Sequence, residues 1–121
     1  METPQRNLAG ENPNELRKLM DDALQYGSIS DLEALFDEGM DINQTDFSDR
    51  TALMMCTVQG KTDAVKMLIQ RGADINLISM YQGRIPKTAL DGARECRKSA
   101  IEQILVEHGA KTGAELHQTQ E

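Results

Sequence analysis

Apolar residues recur along the chain in short groups with helical spacing. Leu16, Leu19, Met20, Ala23 and Leu24 predict a helix ending near Tyr26, with Arg17, Lys18, Asp21, Asp22 and Gln25 on its other face. Asn12-Pro13-Asn14-Glu15 supplies the start of that helix: a capping side chain, Pro at the first helical position, and Glu three residues after the cap. Leu32, Leu35 and Phe36 stand at i, i+3 and i+4 and predict a second helix from about Ser30 to Glu38. Val65, Leu68 and Ile69 repeat the spacing in a helix over 62–70, preceded by one over 52–59, and a last pair is predicted over 89–96 and 99–107. Gly27 and Gly60 stand where a helix pair must reverse, and Gly39, Gly72 and Gly109 stand where the second helix must stop. Each helix carries one apolar stripe only. A single pair cannot cover its own stripe, so neighbouring pairs must stack into one continuous core.

The groups are in phase. A shift of 33 superposes Gly27 on Gly60, Leu35 on Leu68, Phe36 on Ile69, and Gly39-Met40-Asp41-Ile42-Asn43 on Gly72-Ala73-Asp74-Ile75-Asn76. A shift of 37 superposes Thr51-Ala52-Leu53 on Thr88-Ala89-Leu90, Leu68 on Leu105, and Arg71-Gly72-Ala73 on His108-Gly109-Ala110. A period of this length marks a repeat array. These residues resemble the ankyrin repeat, whose pattern runs Thr-Pro-Leu-His-x-Ala-Ala, a Gly, an apolar helix and Gly-Ala-Asp-x-Asn. Here Ala52 and Ala89 stand for the Pro, and Met54 and Asp91 for the His. The resemblance covers roughly residues 14 to 113. It implies an all-α solenoid of helix-turn-helix repeats with β-hairpin-like finger loops between them. Thr51 and Thr88 are expected to cap the first helix of their repeats.

The expected organisation is a disordered segment over residues 1–11, one repeat domain over 12–113 with repeats near 14–46, 47–83 and 84–113, and a polar tail over 114–121. The first copy lacks the Thr-x-Leu start and has a charged outer face, as an N-terminal cap would. In the last copy Glu102 replaces the buried Leu32 or Val65, and Arg97 replaces the turn Gly, as suits a C-terminal cap with nothing stacked beyond it. Asn43 to Arg50 forms the first finger, with Asp46 placed for its turn, Asp49 where the family has Gly, and Phe47 near the tip. The second finger, Asn76 to Lys87, is four residues longer. Its Ile78 and Met80 either meet a partner or fold back onto the next repeat.

Hydrophobic residues make up 39% of the chain, low for a globule but sufficient where each repeat adds a thin slice of core. Aromatics are only 3%, and seven Met residues take over part of the packing. The net charge of −7 argues against nucleic acid and against an anionic membrane surface, and permits a basic protein partner. No apolar run approaches a membrane span, and METPQRNLAG has no signal-peptide core. Cys56 takes the place of a small buried Ala, and Cys96 falls nearer the surface. Two free thiols fit a reducing, cytoplasmic setting.

No enzyme constellation is present. His108 lies at a helix end, where a cation favours the last carbonyls, and His117 is in the tail. Neither forms a metal-ligand spacing with the cysteines, and the Gly residues follow the repeat period rather than a phosphate-binding loop. Neither catalysis nor a cofactor is expected. What the resemblance implies instead is recognition of another protein, by a monomer, through finger tips and the concave face of the first helices. By position that surface comprises Tyr26, Phe47, Ser48, Arg50, Val58, Gln59, Met80, Tyr81, Arg84, Ile85, Lys87 and Glu95. Aromatic, Met and Arg side chains dominate binding energy at such surfaces. For Val58 and Tyr26 the alternative is partial burial between helices, and for Phe47 a contact that anchors its loop. The alternative function is binding of a small molecule or anion, or service as an accessory subunit of an enzyme, through the 77–87 loop, with Arg84 and Lys87 as the candidate groups.

Overall fold

The computed structural model describes residues 8–79 and 87–118. Within them lie seven helices: α1 (Pro13–Tyr26), α2 (Ile29–Asp37), α3 (Ala52–Gln59), α4 (Thr62–Gln70), α5 (Ala89–Glu95), α6 (Ser99–Glu107) and α7 (Gly113–Gln118). They pair as α1–α2, α3–α4 and α5–α6, and α3 also packs against α1 and α5. The first helices therefore form one layer and the second helices another, with the apolar stripes between them. Met20, Leu24, Leu32, Leu35, Leu53, Val65, Leu68, Leu90, Ile101 and Leu105 are buried in one cluster that runs through all three pairs.

The helix ends have local causes. Asn12 caps α1 through its side chain, which accepts from the Asn14 N–H at 2.8 Å, and Thr51 Oγ1 accepts from the Met54 N–H at 3.3 Å. Ser28 and Asp31 cap α2 reciprocally: the Ser28 N–H donates to the Asp31 carboxylate at 2.8 Å. Gly39, Gly72 and Gly109 take left-handed backbone (φ 105, 88 and 86) after α2, α4 and α6, where a side chain would be strained. Gly60 does the same between α3 and α4 (φ 76), and Arg97 holds φ 56 at the equivalent place between α5 and α6. Gly27 is required for another reason. Its backbone is extended, but an added Cβ would lie 2.8 Å from the Ala23 carbonyl oxygen.

The Gly-x-Asp-Ile-Asn exits explain themselves in the same way. Asp41 and Asp74 each close a local turn by accepting from the N–H of Asn43 (2.8 Å) and Asn76 (3.0 Å). The freed Asn side chain then reaches across to the next repeat: Asn43 Oδ1 accepts from the Asp74 N–H at 2.9 Å, and Asn76 Oδ1 from the Lys111 N–H at 2.8 Å. Each such bond adds about 1 kcal/mol net.

Two expectations need correction, and a third holds with an addition. The disorder expected over 1–11 does not hold for the described part of that segment: Leu8–Gly10 forms a 3-10 turn, Leu8 is 1% exposed within the core, and its N–H donates to the Glu38 carbonyl at 2.7 Å. A single apolar side chain that caps the α1–α2 pair is enough to hold this turn, and no periodicity betrays it. Residues 1–7 lie outside the described residues. Next, the tail over 114–121 begins as helix α7. Thr112 Oγ1 accepts from the Glu115 N–H at 3.1 Å while the Thr112 N–H donates to Glu115 at 3.2 Å, a reciprocal cap that holds the Glu115 carboxyl below the ordinary range. Last, Thr88 is the N-cap of α5, in a capping box with Asp91, but its hydroxyl has a second task. It donates to the Lys111 carbonyl at 2.6 Å, and Asp91 accepts from the Thr88 N–H at 2.9 Å and from the Gly113 N–H at 2.7 Å. The last repeat thus uses its cap to tie down the segment that follows it.

Candidate functional site

The first finger is built on Asp46, which is buried and accepts from the N–H groups of Ser48 (2.8 Å) and Arg50 (3.0 Å). Asp49 completes the turn with φ 61, a left-handed conformation that Asp tolerates better than most residues. An isolated bridge joins Thr45 and Thr51 at the base, and a second joins Ser79 and Lys87 at the base of the long finger. Ser79 Oγ donates to the Asp49 carbonyl at 2.9 Å, so the second finger is fastened to the first.

Between the finger bases and the first helices lies a hollow of about 220 Å³. Met54 and Val58 of α3 and Ala89 and Gly92 of α5 give it apolar walls, and Arg50, Lys87 and Glu95 stand among its lining residues. Lys87 and Glu95 form an ion pair, so one cation named for an anion site already has a partner. Gly92 has a steric role: a Cβ there would sit 3.0 Å from Val58 Cγ1, in the space the hollow occupies. Sequence reasoning missed Gly92. The available signal was a Gly inside a helix, where it costs about 1 kcal/mol relative to Ala and so points to close packing.

Four of the residues predicted from sequence, Arg50, Val58, Lys87 and Glu95, come together at this hollow. Others do not. Gln59 is turned to structural use, its amide donating to the Leu24 carbonyl at 3.4 Å at the end of α1, beside Lys61 Nζ on the same oxygen. Tyr26 is 84% exposed at the end of α1, and Phe47, 60% exposed, faces the start of that helix. A helix of 14 residues separates them by about 20 Å. Ser48 is exposed on the finger. Met80, Tyr81, Arg84 and Ile85 lie outside the described residues. Phe47 instead borders a shallow groove of about 670 Å³ at the N-terminal end, with Leu8, Glu11, Glu15, Lys18 and Leu19.

Among the described residues no group of three or more His, Cys, Asp or Glu side chains could hold a metal ion. No helix among them is long and apolar enough to cross a membrane. His108 follows α6, with Nδ1 at 2.8 Å from the Ile104 carbonyl, which makes that nitrogen the protonated one. Both cysteines are free, Cys56 buried and Cys96 exposed. Burial pushes the Cys56 thiol up to about 11, against a smaller opposing effect of Lys61.

The stacked pairs, the left-handed Gly exits and the finger bridges have a counterpart in known families. A family model described as Ankyrin repeats, in three copies, matches residues 19–115. The chain belongs to the ankyrin-repeat family. The ankyrin domain is 32% identical over 99 residues to the B-cell lymphoma 3 protein homolog of Mus musculus, covering 78% of this chain and 21% of that protein. It is 34% identical over 85 residues to Serine/threonine-protein kinase 12 of Arabidopsis thaliana, covering 70% and 18%, and 40% identical over 73 residues to E3 ubiquitin-protein ligase hecd-1 of Caenorhabditis elegans, covering 60% and 2%. The chain spans about a fifth of the length of the first two relatives. Ankyrin repeats are generally protein–protein interaction modules, and the fold is typically non-catalytic.

Proposed function

We propose that this ankyrin domain acts as a monomer in the cytoplasm, binding or inhibiting one partner protein through its fingers and the exposed side of its first helices, without catalysis. The hollow between α3 and α5 carries the reading. Its apolar walls suit one Leu-sized or aromatic side chain of the partner, and Arg50, Lys87 and Glu95 beside it can orient polar groups around that anchor. A desolvated pocket at the centre of a contact surface is where binding energy concentrates.

The test is affinity capture from the native cells followed by native mass spectrometry, with wild type, Gly92→Leu and a back-face control, Lys66→Ala. Leu at position 92 fills the hollow from its floor. The partner should be recovered with wild type and Lys66→Ala and lost with Gly92→Leu, while helical circular dichroism is retained in all three. Recovery with Gly92→Leu at the wild-type level rejects the hollow as the anchor site.

A further inference from the structure

We infer that the groove at the N-terminal end is a second docking site, taking a basic segment of a partner protein that carries a bulky apolar side chain. It is separate from the hollow and rests on the reading of the domain as a protein-binding module.

The groove is amphipathic. Leu19 is half-buried and Leu8 closes the floor from the core side, so the apolar part is backed by packed structure rather than by a loose loop. Phe47 stands over it with more than half its surface in water, held there by the finger turn that Asp46 closes. An exposed aromatic on a rigid turn loses little conformational freedom on binding, which is what makes such a residue effective as an anchor.

Charge decides the occupant. Glu11 and Glu15 line the groove, both exposed, and neither carboxylate has a hydrogen-bond or ion-pair partner among the described residues. Among the described residues Lys18 is the one cation lining it. The acidity extends well beyond the rim. Residues 8–50 hold eleven acidic and three basic side chains, whereas residues 51–118 hold seven acidic and nine basic ones. The chain's negative charge is therefore concentrated in the first repeat and first finger, the part of the chain that carries this groove, even with Glu33 and Asp37 paired to Arg71. A field of that sign attracts Lys and Arg and repels an acidic segment. The apolar floor and Phe47 then select, among basic segments, one with a side chain to bury.

The experiment titrates the isotopically labelled protein, followed by backbone amide NMR, with a short peptide of lysines around one central tryptophan. Two companions are used: the same peptide with Ala for Trp, and the same peptide with Glu for every Lys. The Lys/Trp peptide should shift the amides of Leu8, Glu11, Glu15, Leu19 and Phe47, and its affinity should fall about tenfold on Phe47→Ala, on replacing its Trp by Ala, or on combining Glu11→Gln with Glu15→Gln. Salt at about 0.5 M should weaken it further, and the Glu peptide should not bind. Equal weakening by Asp21→Asn with Asp22→Asn would mean only a diffuse acidic surface, and would overturn the proposal. So would indifference to the Trp or to Phe47. If Gly92→Leu weakens the peptide as much as Phe47→Ala, the peptide sits in the hollow and the second site falls. If Gly92→Leu leaves it unchanged, the groove stands whatever the fate of the anchor proposed for the hollow.

Discussion

Replacing Leu8 by Ala separates two pictures of the N-terminus sharply. If the first residues were an unattached polar lead, the substitution would leave stability unaltered. In the fold described above, Leu8 is 1% exposed and belongs to the same cluster as Met20, Leu24 and Leu35. Burying a Leu side chain contributes about 1.5–3 kcal/mol, and truncating a buried Leu to Ala costs roughly 2–5 kcal/mol including the cavity left behind. The low end applies here. The 3-10 turn sits at the edge of the stack and can close onto the gap, and the bond from the Leu8 N–H to the Glu38 carbonyl survives the change. About 2 kcal/mol is then expected from a total of roughly 5–15 kcal/mol. Urea unfolding followed by helical circular dichroism should show the midpoint lowered by about 1 M at an unchanged slope near 2 kcal/mol per M, with a melting temperature lower by about 8–16 °C. Val106→Ala, at a residue 49% exposed on α6, should stay within about 0.5 kcal/mol of wild type. A Leu8→Ala midpoint within about 0.2 M of wild type would refute the core assignment of Leu8 and with it the backed floor of the N-terminal groove.

Two further outcomes follow from backbone geometry and burial. Arg97→Gly removes a non-Gly residue from left-handed backbone and should raise stability by up to about 1 kcal/mol in the same urea assay, whereas Gly72→Ala, whose Cβ would meet nothing, should lower it by about 1–2 kcal/mol through backbone strain alone. Native protein treated with a maleimide near neutral pH should gain one label, on Cys96, and a second only in denaturant. The Cys56 thiol is buried, and its raised value keeps it protonated and unreactive until pH approaches about 11; two labels on native protein would refute this.

Most of the helices were legible because they carry apolar residues at i, i+3 and i+4 and because a Gly follows α1, α2, α3, α4 and α6, with Arg97 in its place after α5. A pattern repeated at a fixed shift multiplies a weak local signal, so Leu32, Val65 and Leu68 could be placed in the core without knowing what they touch. Asp46, Asp49 and Arg97 were legible for the same reason, since the repeat says what backbone each position must adopt. Leu8 was not: one apolar residue among polar neighbours has no period, and its burial depends on where the α1–α2 pair leaves a gap. Helix α7 did carry a signal, Thr112 and Glu115 at capping-box spacing, but it has six residues, and among those whose side chains are described Leu116 alone is partly buried. The hollow at Gly92 depends on Val58, 34 positions earlier in the chain, and no local rule brings the two together. Tyr26 and Phe47 were grouped by their positions in the repeat, yet α1 holds them apart.

The asparagine reach from one exit to the next occurs at both joints, Asn43 to Asp74 and Asn76 to Lys111. Every joint therefore closes with a connector that faces the same way and fits the same socket. A duplicated block ending in its own Asn, spliced in after Asn76, would meet a matching socket upstream and present a matching connector downstream. Lengthening this chain is a question of copying a segment, and shortening it by one block leaves the remaining ends still able to mate.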